Sequence, residues 1–213
     1  MRIIKPHAEI ISKFTYKDVL EHIELCGRVC YQSDDKIAEG SAEKFISNII
    51  KRGHESVLEH YSITVRFVVD RGVTHEVVRH RVASYSQEST RYCAYNKGKF
   101  GGEITVIEPM EFKEGSEKFI HWMNAIHAAE TSYMALLECG CTAQEARGVL
   151  PNDLKAELMM TANLREWRHF FRMRCDPAAH PHMRQVAVPL LHEFQKRLPV
   201  FFADVPDGER EAS

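Results

Sequence analysis

Apolar and polar residues alternate along "YSITVRFVVD", residues 61–70, more regularly than anywhere else in the chain. Successive side chains of an extended chain point to opposite faces, so this alternation predicts a strand with one buried face. The residues on that face are Ile63, Val65, Phe67 and Val69. Two further strands are predicted at "ITVIEP" and at "IIKPHAEII", where Pro6 favours an edge position because it has no N–H to donate.

Helical periodicity, with apolar residues three and four positions apart, marks most of the remaining chain. Thr15, Thr142 and Asn163 are expected to cap helices, because their side chains accept hydrogen bonds from the first turn. The predicted helices cover residues 15–31, 41–53, 72–81, 116–138, 142–151, 164–174 and 182–197. "AELMMTAN", residues 156–163, fits either a strand or a helix.

Residues 82–102 lack periodicity, and the sequence predicts a long polar loop there. Loops of this length are usually functional or disordered. Helical and extended patterns mix without a regular strand–helix–strand rhythm, which predicts an α+β fold with a mixed, largely antiparallel sheet flanked by helices. We expect a single domain over residues 1–205 and a flexible tail over residues 206–213.

Composition narrows the classes of partner. The 213 residues are 44% hydrophobic and carry a formal net charge of −2, which argues against broad attraction to nucleic acid or anionic membranes. The six cysteines include no Cys-x-x-Cys pair, the N-terminus lacks a secretory signal, and no apolar run is long enough to span a bilayer. The sequence predicts a soluble cytoplasmic protein whose thiols are mostly core residues.

Several common sites are missing from the sequence. The chain has neither Gly-x-Gly-x-x-Gly nor Gly-x-x-x-x-Gly-Lys-Ser/Thr, so the glycine-rich nucleotide sites are excluded. "HEVVRH", residues 75–80, resembles a zinc-protease helix, but Arg79 occupies the position of the second ligand and His80 lies one residue beyond it. No metal site is predicted.

Two arginine-rich segments supply the strongest chemical signal. Residues 79–99 contain five cations and one acid, and residues 163–184 contain five arginines and two acids. A planar guanidinium grips phosphate or carboxylate with two hydrogen bonds, so the clusters predict an anion site. Surface ion pairs and helix-end cations remain the alternative.

Arg174 strengthens this interpretation. It lies seven residues from Trp167 and three from Phe171, which places it on the aromatic side of its helix. A cation desolvated on such a face is costly unless an anion or a polarised ligand group meets it. An internal salt bridge, or a snorkelling side chain at the helix end, remains the alternative.

"RHRVASYSQES", residues 79–89, resembles the signature of the flavin-dependent thymidylate synthases, in which Arg-His-Arg, a seven-residue spacer and a serine follow one another. "GHESVLEH" is similar to the family's preceding Gly-His-Glu segment, and Arg91 and Tyr92 follow the signature serine as in the family. "EARGVLP" and "NLREWRHFFRMR" resemble later family segments. The resemblance extends over roughly residues 50–185.

The resemblance implies synthesis of dTMP from dUMP by reductive methylation, with 5,10-methylene-tetrahydrofolate as carbon donor and tetrahydrofolate as a product. Reduced FAD would supply the hydride and carry the methylene, and NADPH would reduce the flavin. The resemblance also implies a homotetramer with active sites formed between subunits. No nucleic acid or membrane partner is expected.

The same resemblance implies roles for individual residues. Arg174 matches the family's proposed activator of the uracil ring. The residues implied in FAD binding are Ser56, Arg79, His80, Arg81, Gln87, Asn163, Arg165 and His169. Those implied in dUMP binding are Glu76, Arg79, Gln87, Ser89, Arg91, Arg147 and Arg174. Ser89 is expected to bind rather than to act as a nucleophile, because no base is poised at a readable position to take its proton.

Three of these positions depart from the family pattern. Glu76 stands where some members have glutamine, Gln87 where some have glutamate, and His169 where some have asparagine. The exchanges leave the hydrogen-bond roles at these positions open.

Two other functions also remain open. A non-catalytic nucleotide- or RNA-binding protein could use the arginine-rich loop with Tyr85, Tyr92 and Tyr95 as stacking platforms. An inactive or re-purposed flavin protein would bind FAD without making dTMP. The net charge and the other matched segments argue against the RNA-binding alternative.

Overall fold

The computed structural model of the chain describes residues 1–208, apart from the side chain of Lys99. It has a mixed α+β architecture with a mostly antiparallel sheet and helices, as the sequence predicts. The strands are β1 (Arg2–Ile4), β2 (His7–Ile10), β3 (Ser62–Asp70), β4 (Ala83–Gln87), β5 (Thr105–Ile107) and β6 (Lys155–Asn163). The helices are α1 (Tyr16–Val29), α2 (Ser41–Lys51), α3 (Arg71–Val77), α4 (Glu117–Glu138), α5 (Ala143–Ala146), α6 (Leu164–Arg174), α7 (Pro181–Arg197) and α8 (Pro199–Phe202).

The strands form two sheets. One has four strands in the order β2-β3-β6-β4, and in the other β1 pairs in parallel with β5. The strongest strand prediction is confirmed in β3, where all four apolar residues of the predicted face are fully buried. Within residues 1–208, no helix combines the length and the apolar character needed to cross a bilayer.

The chain divides into two compact units. The first comprises Met1–His7, Phe67–Val78 and Ser86–Leu158. The second comprises Ala8–Arg66, Arg79–Tyr85 and the described residues from Met159 onward. The single domain expected over residues 1–205 stays a prediction, and most of the predicted tail, residues 209–213, lies outside the described residues.

Helix α6 organises the core of the second unit. Asn163 caps it, because its side chain accepts a hydrogen bond from the backbone N–H of Glu166 at 2.9 Å. Its aromatic side is buried, and the Trp167 ring lies 5.3 Å, centroid to centroid, from the ring of Phe194 on α7. Helix α6 is therefore fixed at its start by a cap and along its length by aromatic packing.

Helix α3 and helix α4 frame the first unit. The Asp70 side chain accepts a hydrogen bond from the backbone N–H of Val73 at 2.8 Å and so caps α3. A Cβ at Gly72 would lie 2.8 Å from the Asn152 side-chain nitrogen, so glycine permits this close approach. On α4, Trp122 donates from Nε1 to Asp153 at 2.6 Å, and this polar handle lets the indole ring be buried.

The structure corrects several sequence-based expectations. The predicted loop over residues 82–102 contains β4, whose sequence "ASYSQ" carries only a weak alternation of Ala83 and Tyr85 with serines. The expected N-terminal edge strand is two strands, β1 and β2, separated at Lys5 and Pro6 because proline cannot donate to a ladder. The helix expected over residues 72–81 ends at Val77.

Residues 156–163 form a strand, part of β6, and α8 was not predicted. All six cysteines are free thiols: Cys175 is buried, Cys93 and Cys141 are partly buried against the core of the first unit, and Cys30 and Cys139 are exposed. Burial raises the pKa of the Cys175 thiol to about 12, which keeps it in the unreactive protonated form.

Candidate active site

The signature histidine lies at the centre of the candidate site in the second unit. His80 is buried, and its Nδ1 atom lies 3.0 Å from Oε1 of Glu166 on α6. The Nε atom of Arg174, at the end of the same helix, lies 3.1 Å from His80 Nε2. The late helix and the signature segment therefore meet through one imidazole ring.

These contacts determine the tautomer of His80. A guanidinium can only donate hydrogen bonds, so His80 Nε2 must accept the bond from Arg174 and cannot carry a proton. The proton is therefore on Nδ1, which donates to the Glu166 carboxylate. Burial, together with the positive charges of Arg174 and His169, lowers the pKa of His80 to about 4. The imidazole is neutral near pH 7, and its contact with Glu166 is a hydrogen bond rather than an ion pair.

A cavity of about 390 Å³ opens beside this group. Its lining residues are Glu55, Glu59, Val82, Asn163, Arg165, Glu166, His169 and Arg172. Three of the residues implied in FAD binding, Asn163, Arg165 and His169, therefore line one cavity. Ser56 is exposed and does not line it.

The donors of this cavity fit the ring system of a flavin. The Asn163 side-chain oxygen caps α6, which leaves Nδ2 as the donor that this side chain can offer to a ligand. Arg165 donates to Glu59 at 2.6 Å and has further N–H groups. The pyrimidine edge of a flavin presents carbonyl and ring-nitrogen acceptors, which such donors match. The cavity volume suits the ring system rather than a whole FAD molecule.

His80, Glu166 and His169 also offer ligand atoms that lie within 4.8 Å of one another, as in a metal site. Both ring nitrogens of His80 are already engaged, one by Glu166 and the other by Arg174. A guanidinium 3.1 Å from a ligand nitrogen would also repel a metal cation. The geometry therefore does not favour a metal, and its absence stays a prediction.

In the first unit, the orientation of Gln87 is fixed by Thr74. The buried Thr74 hydroxyl donates to the backbone oxygen of Arg71 at 2.8 Å, so it accepts from Gln87 Nε2 at 3.1 Å. Gln87 can therefore offer its carbonyl oxygen to a ligand, as the glutamate of other family members could. The exchange of glutamate for glutamine at position 87 therefore preserves a hydrogen-bond acceptor.

Glu88 anchors residues 86–89, the part of the signature segment that belongs to the first unit. The sequence did not indicate this role of Glu88. It accepts a hydrogen bond from Lys155 on β6 at 2.7 Å, and its backbone N–H donates to the Glu157 oxygen at 2.8 Å. Burial alone would lower the pKa of Lys155, but the hydrogen bonds and charges of Glu88 and Glu157 together outweigh burial and raise it. Ser89, the next residue, therefore follows a fixed position, two residues beyond the end of β4.

Five of the predicted arginines are exposed. Arg165 is paired with Glu59, and the other four are Arg79 and Arg81 in the second unit and Arg91 and Arg147 in the first. Within residues 1–208, the side chains of Arg79, Arg81 and Arg147 form no hydrogen bond or ion pair. Arg91 donates to Gln144 at 2.8 Å, an uncharged partner. Guanidinium groups that are not neutralised by carboxylates suit the binding of a phosphate.

The remaining predicted residues in the first unit are Glu76 and Ser89. Glu76 is half-buried on α3. The Ser89 side-chain oxygen accepts a hydrogen bond from the backbone N–H of Arg91 at 3.3 Å. This contact gives Ser89 a local structural role and supplies no base that could activate it.

The stacking surface required by the RNA-binding alternative is incomplete. Tyr95 is only 3% exposed, so it cannot stack on a base. Tyr85 is half-buried and its hydroxyl donates to the backbone oxygen of His80. Tyr92, at 80% exposure, is the one of the three that lies open to solvent.

A mixed α+β fold with a cavity on which ionisable side chains and an arginine converge has the construction of an enzyme. The sequence profile of the thymidylate synthase complementing protein family matches residues 11–200. The chain belongs to this family, and the resemblance first seen in the signature is confirmed.

Several curated relatives are named flavin-dependent thymidylate synthases. The relative from Geobacter sulfurreducens is 33% identical over 193 residues, which cover 87% of this chain and 82% of that protein. The relative from Pyrococcus furiosus is 34% identical over 176 residues, covering 82% of this chain and 71% of that protein. The relative from Corynebacterium glutamicum is 33% identical and covers 90% and 83% respectively.

The fold is also similar to that of a crystal structure, the UMP/dUMP methylase PolB from Streptomyces cacaoi bound with 5-Br dUMP. The TM-score is 0.76, and the match covers 95% of this chain and 96% of that chain. At 22% sequence identity, this similarity describes the fold alone.

Proposed function

We propose that this chain is a flavin-dependent thymidylate synthase, which makes dTMP from dUMP by reductive methylation. In this proposal 5,10-methylene-tetrahydrofolate is the carbon donor, NADPH is the reductant and tetrahydrofolate is a product. The names of the curated relatives and the dUMP analogue named with the structural neighbour support the pyrimidine substrate. We also propose a homotetramer that shares its active sites between subunits.

The contact between Arg174 and His80 carries this proposal. It brings the arginine of the late helix to the histidine of the signature segment, at a separation of 94 positions in the sequence. Because the imidazole is neutral, this contact does not cancel the charge of the guanidinium. Arg174 can then stabilise negative charge that develops on a bound pyrimidine.

Each group in the site has a defined task in the proposed reaction. Arg174 stabilises the negative charge that develops on the uracil ring as the N3–H bond weakens. This charge raises the electron density at C5, where the new carbon bond forms. Asn163, Arg165 and His169 would hold the flavin ring in their cavity. FAD, once reduced by NADPH, supplies the hydride for the reduction to a methyl group. The contribution of the chain is thus orientation and electrostatics.

The dUMP phosphate would be bound by exposed arginines. Arg79, Arg91 and Arg147 are suited to this task, since carboxylates do not neutralise them within the described chain. The Gln87 carbonyl oxygen and the Ser89 hydroxyl would add directional hydrogen bonds to the nucleotide.

Tritium release from C5 of labelled dUMP tests the proposed function directly. We expect release by the purified protein when FAD, NADPH and 5,10-methylene-tetrahydrofolate are all present, and no release when any one of them is omitted. A yellow protein that binds FAD but releases no tritium would indicate the re-purposed flavin protein. A colourless protein that takes up no FAD would support the binding protein instead.

Arg79→Ala is expected to weaken dUMP binding by about 10- to 100-fold, because a charge-assisted hydrogen bond contributes about 1.5–3 kcal/mol. Isothermal titration of FAD-loaded protein with dUMP measures this change. The exposed Arg2→Ala, which removes an arginine from β1, serves as the matched control and should leave the affinity unchanged. An unaltered dUMP affinity in Arg79→Ala would remove this residue from the phosphate site.

A further inference from the structure

Glu166, His80 and Arg174 in the second unit form a continuous series of contacts. The proposed reaction assigns a task only to the last of them, Arg174. Glu166 contacts His80 at 3.0 Å, and His80 contacts Arg174 at 3.1 Å. Glu166 and Arg174 lie on the same helix, whereas His80 comes from the signature segment. Arg174 is therefore held through an imidazole whose other nitrogen depends on Glu166.

The hydrogen-bonding capacities of the imidazole and the guanidinium show why the dependence on Glu166 matters. With an acceptor at Nδ1, the proton stays on that nitrogen, and Nε2 presents a lone pair to the Arg174 N–H. Without that acceptor, the proton could move to Nε2. Two donors would then face each other across 3.1 Å, and the guanidinium would have to move.

The surroundings hold the imidazole ring in place. Its centroid lies 4.8 Å from the ring of Phe170 and 5.5 Å from that of His169. The backbone oxygen of His80 accepts a hydrogen bond from Tyr85. Because the ring is held in this way, the remaining freedom of His80 is the position of its proton, and Glu166 controls that position.

Burial of Glu166 carries an electrostatic cost. Burial raises the pKa of its carboxyl group, so the charged form is disfavoured where it lies. The hydrogen bond with His80 Nδ1 and the place of Glu166 in the first turn of α6 offset part of this cost. Its backbone is fixed by the Asn163 cap, which aligns the first turn of the helix with His80.

We propose that Glu166 is a positioning residue, which acts through His80 to orient Arg174 toward the pyrimidine. This inference rests on the proposed function, because it assumes that Arg174 acts on a bound uracil ring. Its structural part, the control of the His80 tautomer by Glu166, stands independently of any activity.

Two substitutions separate the hydrogen bond from the volume of the side chain. Glu166→Met keeps a similar volume and helix propensity but removes the strong acceptor, whereas Glu166→Gln keeps an acceptor oxygen. We expect kcat per bound flavin to fall about 10- to 100-fold in Glu166→Met, less than on removal of Arg174 itself. Glu166→Gln should recover most of the activity, and the exposed Glu193→Gln should match the wild type.

Nitrogen-15 NMR of histidine-labelled protein reads the tautomer directly, with His80→Gln used to assign the signal. In the wild type we expect a protonated Nδ1 and an unprotonated Nε2, and in Glu166→Met a signal from protonated Nε2. A wild-type His80 protonated at Nε2, or a Glu166→Met variant with wild-type tautomer and kcat, would overturn the inference. If the wild type makes no dTMP, the proposed function fails, and the tautomer of His80 still decides whether Glu166 controls it.

Discussion

Arg174→Ala is expected to lower kcat for dTMP formation by about 10²- to 10³-fold, which is the usual effect of removing one preorganised donor from a developing negative charge. The expected loss is large because the guanidinium is half-buried and the contact with neutral His80 leaves its charge in place. Turnover per bound flavin, from product formation and flavin absorbance on the same sample, measures the effect.

The retention of FAD distinguishes this role from a structural one. Arg174 does not line the cavity formed by Asn163, Arg165 and His169, so Arg174→Ala should still bind the flavin. Arg174→Lys serves as a matched variant: it keeps the charge but lacks the N–H at Nε that meets His80, and we expect an intermediate loss. Normal turnover per bound flavin combined with loss of FAD would show that the catalytic role is misassigned.

Local sequence patterns predicted the elements that begin with a clear helix cap or carry a clear apolar face. Thr15 and Asp18 form the two reciprocal hydrogen bonds of a capping box at the start of α1, as the sequence indicates. Strand β4 was not recognised, because the only apolar residues of "ASYSQ" are Ala83 and Tyr85 and its pairing with β6 joins segments distant in the sequence. A hydrogen-bond partner so far away leaves no periodic signal in the strand itself.

The part of the site that lies in one short segment could be predicted, and the part that depends on distant contacts could not. Asn163, Arg165 and His169 share a short helical segment, and the resemblance pointed to all three. The roles of Glu88 and Glu166 depend on contacts with residues 67 and 86 positions away, which no local spacing reveals. The sequence offered only a weak signal, since Glu88 is the one acid of its basic segment and Glu166 is one of two in the other, and this signal does not say which partner either acid meets.

Arg168 is the clearest case of a residue whose burial the sequence does not reveal. Helical spacing puts Arg168 on the same broad side of α6 as three exposed residues, Arg165, His169 and Arg172. The structure shows it fully buried. It takes this position because two acids, Glu55 and Asp204, meet its guanidinium, and Asp204 lies 36 positions further along the chain.

Arg168→Met is expected to destabilise the protein by about 3 kcal/mol, because removal of one partner from a buried ion pair leaves the other charge uncompensated. Arg168 donates to both carboxylate oxygens of Asp204, at 2.6 and 2.7 Å, to Glu55 at 3.0 Å, and to the backbone oxygen of Phe201. The expected loss lies at the lower end of the range that is usual for a broken buried ion pair, since the Asp204 side chain is 49% exposed and can be rehydrated. Urea unfolding of both proteins measures the difference.

Arg172→Ala is the matched control, because Arg172 lies one turn further along α6 and approaches the same two acids. Its distances are longer, 3.4 Å to Glu55 and 3.7 Å to Asp204, and its side chain is 42% exposed. An exposed ion pair contributes about 0–1 kcal/mol, so this variant should unfold close to the wild type. Equal losses in the two variants would show that burial does not decide the strength of this network.

Acid should remove the advantage that Arg168 provides. The hydrogen bonds from Arg168, with its charge, hold the pKa of Asp204 below its usual value despite burial, so in acid the unfolded chain binds the proton more readily than the folded chain. The stabilisation from Asp204 is therefore fully present above the unfolded pKa of about 3.9 and is lost as the pH falls through the lower, folded pKa. The difference in unfolding free energy between wild type and Arg168→Met should stay constant from about pH 7 to pH 5 and shrink below about pH 4. A difference that persists unchanged at pH 3 would mean that Arg168 stabilises the fold through packing, because its contact with Asp204 cannot survive protonation of the carboxylate at full strength.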